Sequence, residues 1–151
     1  MGGTSELENN KAVVRRHLEE IFGSGNPSVL SQTMSPEVVW HAESNPSGKV
    51  TAESLQKARM DRISAFPDCQ LIIQDMIAEG DRVSVRTRVV GTHHGGWNSA
   101  GGFLRVTQPA GKRFDIQVQM IYRLRHGRVI ERWVVHDWLG MLTQLGVLRP
   151  E

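Results

Sequence analysis

The chain has 151 residues, 39% hydrophobic and 23% charged, which is typical of one folded domain spanning residues 1–151. The net charge is only +2 and basic residues alternate with acidic ones, which argues against a nucleic-acid partner. No apolar run could span a bilayer, no secretory signal is recognisable, and Cys69 is the single cysteine. We therefore expect a cytoplasmic protein with no membrane partner. The alternative is a secreted domain without disulfides.

The first third of the chain is predicted to be mainly helical. Apolar residues recur at helical spacing over 6–22, where Ser5 is a candidate N-cap and Gly23 can end the helix. A turn leads into a short second helix at 29–34 and a first strand at 37–42.

A third helix is predicted over 51–66, after a loop at 44–48. Thr51 can cap its start, and Pro67 stops it. Its predicted inner face consists of Leu55, Ala58 or Arg59, Ile63 and Phe66.

The second half of the chain is predicted to form strands, because apolar and polar residues alternate there. The predicted strands are 69–78, 83–92, 113–124 and 129–136, the last two joined by a tight turn at His126-Gly127. Helices followed by strands favour an α+β fold. We expect a strongly curved antiparallel sheet, wrapped by the helices 6–22 and 51–66 around a deep pocket.

The segment 94–111 is long, rich in glycine and without a clear strand or helix pattern. A segment of this length is often a lid or a dimer element. Its paired glycines do not precede a helix, so they do not form a phosphate-binding loop.

Several short motifs, in order along residues 10–148, resemble the SnoaL-like polyketide cyclases of the nuclear-transport-factor-2-like and ketosteroid-isomerase-like superfamily. They are Ala65-Phe66-Pro67-Asp68, Ala78-Glu79-Gly80-Asp81-Arg82-Val83, Gly91-Thr92-His93, Gly111-Lys112-Arg113, His126-Gly127-Arg128-Val129 and the ending Trp133…Asp137…Leu142-Thr143-Gln144-Leu145-Gly146. The resemblance implies a cone-shaped α+β barrel, a homodimer, a deep apolar pocket and no metal or organic cofactor. It also implies a polyketide-like substrate, since the family's cyclases close a ring by an aldol reaction in which a strand aspartate is the general acid–base.

This chain differs from the family pattern at the catalytic positions. By the resemblance, the strand aspartate corresponds to Val134 and a second aspartate to Asp137. The Gln and His positions of the preceding strand correspond to Val118 and Met120, and an Asn position to Trp40. Thr87, Val89 and, again, Val134 stand where limonene-epoxide-hydrolase-like sites need Asp, Arg and Asp. The single tyrosine, Tyr122, is not on the first helix, as a ketosteroid isomerase-like site requires.

Four polar residues are candidate catalytic groups. Arg132 and His136 share a face of the last strand with Val134; the arginine can hold a carboxylate or enolate and the imidazole can transfer a proton. Asp137 could orient His136 or could cap the final helix, and His93 could be a second acid–base group at the pocket rim or part of a polar turn. The alternative for Arg132 is a surface charge, and for His136 a half-buried strand residue.

The candidate substrate-binding residues are mostly apolar. They are Trp40, His41, Val118, Met120, Tyr122 and Val134. Trp40 and His41 point to opposite faces of a strand, and Trp40 is the better candidate for the buried one. His41, His93 and His136 lack zinc-site spacing, so no metal is predicted.

Three functions remain open from the sequence. The first is a cofactor-independent enzyme that uses acid–base chemistry on an apolar, carbonyl-bearing small molecule, as a cyclase, isomerase or dehydratase does. The second is a non-catalytic binding or carrier domain that has lost the family's catalytic aspartate, and a pure dimerisation module is a third possibility.

Overall fold

The computed structural model describes residues 2–43, 45–98, 105–106 and 111–149. The helices are α1 (Gly2–Phe22), α2 (Pro27–Thr33), α3 (Ala52–Ala65) and α4 (Trp138–Gln144). The strands are β1 (Met34–His41), β2 (Gln70–Glu79), β3 (Arg82–Thr92), β4 (Trp97–Asn98), β5 (Arg105–Val106), β6 (Arg113–Arg125) and β7 (Arg128–His136). The α+β class is confirmed.

The main sheet has five strands in the order β1-β7-β6-β3-β2. Strands β2, β3, β6 and β7 pair antiparallel, but β1 pairs parallel to β7. The prediction of an antiparallel sheet is therefore wrong for β1, because the chain enters β1 from α2 rather than from a hairpin. The edge strands β1 and β2 do not pair with each other, so the sheet is open and not a closed, strongly curled barrel.

The predicted alternation of the long strands is confirmed on β3 and β6. The odd-numbered residues of β3, such as Val83 and Val85, point inward and are buried. On β6 the inward residues are the even-numbered ones, such as Phe114 and Met120. Thr87 is buried on the same face because its hydroxyl donates a hydrogen bond of 2.9 Å to the Val118 carbonyl.

The helices that cover the inner face differ from prediction in detail. The helix α1, which packs against β2 and β3, begins at Gly2, so Ser5 lies inside it and is not its N-cap. The predicted cap of α3 is present, since Thr51 and Ser54 form a reciprocal capping box. Ile63, predicted to face inward, is exposed, whereas Arg62 is partly buried, so the inner face of α3 is rotated from the predicted one.

Within segment 94–111, β4 and β5 pair with each other as a separate two-stranded ribbon. Residues 99–104 and 107–110, including Phe103, lie outside the described residues, and the prediction of a lid or dimer element falls largely on them. Among the described helices, none combines the length and apolarity needed to cross a membrane.

Candidate functional site

A cavity of about 510 Å³ lies between the inner face of the sheet, the helices and the loop that follows β1. This volume is within the range of small-molecule sites. Its wall is mainly apolar and includes Trp40, Leu55, Phe66, Leu71, Val89, Trp97, Phe114, Ile116, Val118, Met120, Val134, Trp138 and Met141. Four predicted substrate-binding residues, Trp40, Val118, Met120 and Val134, are thus brought together in this wall.

Strand register explains how the polar groups reach the cavity. Arg132 of β7 is opposite Trp40 on one side and Tyr122 on the other, and His136 is opposite Val118. Arg132, Val134 and His136 are two residues apart, so they share the inward face of β7. Both Arg132 and His136 line the cavity.

Arg132 is a buried cation, with only 8% of its surface exposed. Its guanidinium carbon lies 4.2 Å from the centroid of the Trp40 ring, which gives a cation–π contact. Its Nη2 donates to the Met120 Sδ at 3.1 Å, and its Nε has no hydrogen-bond partner. Among the described residues no carboxylate forms an ion pair with it.

His136 is held between an aromatic ring and a carboxylate. Its ring stacks on Trp138, with 4.4 Å between the centroids, and its Nδ1 lies 3.4 Å from the Glu43 Oε2. Burial, together with the charge of Arg132, lowers the pKa of His136 to about 4, although Glu43 acts in the opposite direction. The imidazole is therefore neutral at pH 7.

The contact with Glu43 also sets the tautomer of His136. Burial raises the pKa of Glu43, but hydrogen bonds from backbone amides and from His136 outweigh it and hold that pKa below its ordinary value. An ionised carboxylate can only accept a hydrogen bond, so the proton of His136 resides on Nδ1. Its Nε2 consequently carries the lone pair and can accept a proton.

A second histidine, His17 of α1, lies behind this wall and is completely buried. Its Nδ1 is 3.1 Å from the Thr33 hydroxyl, and its ring meets Trp40 and Tyr122 edge to face. Burial and then the charge of Arg132 lower its pKa to about 3. His17 is therefore a neutral core residue that supports Trp40.

Tyr122, a predicted substrate-binding residue, is fully buried and is not among the residues that line the cavity. Its hydroxyl donates to the Met120 Sδ at 3.3 Å. Burial raises its pKa, so the phenol is neutral. The structure therefore places Tyr122 beneath Arg132 and Met120.

Three further predicted site residues are not among those lining the cavity. Asp137 accepts a hydrogen bond of 2.8 Å from the Gly140 backbone N–H, so the capping contact of α4 is present. His93 is buried with its ring tilted against Phe66, at 5.4 Å between centroids. His41 is on the outer face of the sheet, where it contacts Glu131 and stacks on Trp133.

Sequence reasoning missed several residues of this region. His17 follows the helical spacing of Val14, Leu18 and Ile21, so its burial could have been inferred. Glu43 carried no signal, because it is separated from His136 by 93 residues and follows a strand whose pairing was not predicted. Lys49, Arg62 and Cys69 also line the cavity, and burial raises the pKa of the Cys69 thiol to about 11.

Within the described ranges, no group of three or more His, Cys, Asp or Glu side chains is arranged to hold a metal ion. The polar side chains that line the cavity include the His136 imidazole, the Arg62 and Arg132 guanidinium groups, the Lys49 ammonium and indole N–H groups, of which Trp40 Nε1 and Trp138 Nε1 have no partner.

Residues 12–145 match the family model of the SnoaL-like polyketide cyclases. The chain therefore belongs to the SnoaL-like polyketide cyclase family. Comparison with curated protein sequences gives no significant match.

Solved structures with the same fold come from several bacteria. AclR from Streptomyces galilaeus, a proposed hydroxylase, is 28% identical with a TM-score of 0.74, over 96% of this chain and 85% of AclR. IdmH from Streptomyces antibioticus, a proposed polyketide cyclase, is 26% identical with a TM-score of 0.71, over 91% of this chain and 98% of IdmH. TsrD from Streptomyces laurentii, 23% identical with a TM-score of 0.75 over 93% of this chain and 97% of TsrD, supports the fold alone.

Proposed function

We propose that the protein is a cofactor-independent enzyme that removes a proton next to the carbonyl group of an apolar, polyketide-like small molecule. Cyclisation, isomerisation and dehydration all begin with this step. The observation that carries the proposal is the His136–Glu43 pair at the wall of an apolar cavity that also contains the buried cation Arg132.

In the proposed step, His136 is the base. The C–H bond of the substrate breaks, its proton moves to His136 Nε2 and its electron pair moves onto the carbonyl oxygen to form an enolate. The imidazolium that results is stabilised by the neighbouring Glu43 carboxylate. Glu43, rather than Asp137, is the carboxylate in contact with His136, so we assign the orienting role to Glu43.

Arg132 supplies the positive charge toward which negative charge develops. It is four residues from His136 on the same face of β7, with Val134 between them, and it is shielded from water by Trp40 and Met120. A fixed charge in such a site stabilises an enolate more than the same charge would in water. His93 and Asp137, which line no part of this cavity, are given no catalytic role here.

The proposal can be tested without the natural substrate. The probe is 2-tetralone, whose acidic α-protons exchange with D₂O in a reaction followed by ¹H NMR. We expect wild-type protein to accelerate exchange and His136→Gln to lose about 100-fold of that acceleration, the lower end of typical general-base effects. His94→Gln, at an exposed histidine, is the matched control and keeps wild-type exchange. Equal exchange by wild type and His136→Gln contradicts the role of His136.

A binding domain without catalytic activity is the second candidate. It is favoured by the buried apolar residues Val118, Met120 and Val134 at positions where, by the family resemblance, cyclases carry polar groups. Retained ligand binding with no exchange activity in wild-type protein, across 2-tetralone and a panel of polyketide esters and enones, would favour this function.

The predicted homodimer also remains a proposal. The outer face of the sheet exposes Ile72, Ile77, Ile121 and Val135, an apolar surface that a second copy could cover. Sedimentation velocity of wild type and Ile77→Lys would test it, because a charge at this position would dissociate such a dimer.

A further inference from the structure

The charge inside the cavity is unbalanced. Lys49, Arg62 and Arg132 line it, whereas no described Asp or Glu residue does. The whole chain carries a net charge of only +2, so this excess of positive charge is a local property of the cavity. A cavity lined by one sign of charge with apolar walls favours ligands of the opposite sign.

Of the two arginines, Arg132 is the one with unused hydrogen-bonding capacity, whereas the Lys49 side chain is exposed to solvent. A guanidinium has five N–H donors, yet the contacts of Arg132 are a thioether sulfur, which is a weak acceptor, the face of Trp40 and, at 5.7 Å from its centroid, the Tyr122 ring. Arg62 differs, because its Nη2 donates to the Ile21 carbonyl at 2.7 Å and its guanidinium carbon lies 4.2 Å from the centroid of the Phe22 ring.

Burial of a cation without an anionic partner is costly, so an acidic group of a ligand at Arg132 would offset that cost. The fork of a guanidinium fits a carboxylate in two parallel hydrogen bonds. A ligand whose acidic group reached Arg132 would place its apolar body against Trp40, Val134 and Val118. His136 is the next inward-facing residue of β7 after Val134, so it would lie beyond the apolar body on the same strand face.

We propose that the ligand of this cavity is an apolar carboxylate whose anionic group pairs with Arg132. The proposal names the substrate class of the function given above, and it rests on that function for the use of this cavity as the substrate site. A carboxylate bound at Arg132 neutralises much of the charge of the guanidinium, so for a carbonyl compound of this class Arg132 acts mainly as an anchor that directs the remainder of the molecule toward His136.

Isothermal titration calorimetry with a matched pair of probes tests the proposal. The probes are 2-naphthoate and 2-naphthamide, which have nearly the same shape but differ in charge. We expect wild-type protein to bind the naphthoate at least about tenfold more tightly than the amide at pH 7. Equal affinity for the two probes overturns the proposal, and this comparison needs no variant.

Variants then locate the anion. Arg132→Met is expected to abolish the preference for naphthoate while leaving the affinity for naphthamide within about twofold. Arg132→Lys should retain part of the preference, because it keeps the charge and loses the fork. Arg62→Met, at the other arginine of the same cavity, is the control and should keep the preference. Loss of the preference in Arg62→Met but not in Arg132→Met would place the anion at Arg62 and refute the proposal.

Binding and catalysis fail separately. If wild type and His136→Gln both prefer naphthoate but neither promotes 2-tetralone exchange, the anion site stands and the enzymatic function is rejected. If wild type promotes exchange but binds the amide as tightly as the naphthoate, the function stands and the anion site is rejected.

Discussion

Arg132 and Trp40 are opposite each other on parallel neighbouring strands, with the guanidinium carbon 4.2 Å from the centroid of the indole ring. This contact covers one face of a cation that has no described carboxylate partner. The indole thus lies over the face of a buried positive charge that also lines the cavity.

Replacement of Arg132 by Met should cost little stability. Removing one member of a buried ion pair typically costs about 3–5 kcal/mol, whereas removing an unpaired buried cation relieves a desolvation penalty. We therefore expect Arg132→Met to change the free energy of unfolding by less than about 1 kcal/mol, measured by urea denaturation at pH 7. A loss in the range of a broken ion pair would show that Arg132 already has an internal partner.

Charge removal on either side of His136 should move its pKa in opposite directions. Glu43 raises that pKa and Arg132 lowers it, so Glu43→Gln should lower it below about 4 and Arg132→Met should raise it toward the ordinary value. The measurement is a ¹H–¹³C NMR titration of the His136 ring. Glu131→Gln, whose carboxylate contacts His41 on the outer face, is the matched control and should leave His136 unchanged.

Burial of His17 should make the fold sensitive to mild acid. Its folded-state pKa of about 3 is below the ordinary histidine value of 6.5, so its contribution to stability is complete above pH 6.5 and is lost as the pH falls toward 3. Between pH 7 and pH 5 this loss amounts to about 2 kcal/mol.

The variant His17→Asn isolates this effect, because an asparagine amide can still donate to the Thr33 hydroxyl but does not titrate. Urea denaturation at both pH values should show a smaller acid loss in His17→Asn than in wild type. His94→Asn, at an exposed position, should behave as wild type, and equal acid losses in all three proteins would contradict the prediction.

Asp137 should contribute to stability through its cap of α4. Its Oδ1 accepts the Gly140 N–H, so Asp137→Ala should lower the free energy of unfolding by about 1 kcal/mol, whereas Asp137→Asn, which retains an acceptor, should lose only a few tenths. Both variants should keep wild-type exchange of 2-tetralone. A large loss of exchange in Asp137→Asn without a change in stability would instead support Asp137 as a proton-transfer group.

The parts of the fold that were predictable from the sequence are those with local signals. Alternating residues identified β3 and β6 and their buried faces, and Thr51 marked the start of α3. The buried face of α3 was misjudged, because Arg62 can bury its alkyl chain while its guanidinium binds the Ile21 carbonyl, and hydrophobicity alone gives no warning of this.

The candidate site was only half predictable for a related reason. Arg132, Val134 and His136 share a strand face, and strand periodicity alone brings them together. Glu43 reaches His136 only because β1 lies parallel to β7, a pairing that depends on tertiary packing and leaves no local mark in the sequence.

The pairing of β1 with β7 can form only late in synthesis, because the two strands are far apart in the chain. The ribosome makes β1 early and β7 near the end, so Trp40 and Glu43 wait for their partners during most of translation. A nascent chain therefore displays an unpaired strand edge and an uncovered indole, features that chaperones recognise and that promote aggregation. The cavity is completed only by the final segment, because a chain halted before β7 would have α1–α3 but would lack β7 and α4, which supply Arg132, Val134, His136, Trp138 and Met141 to the wall.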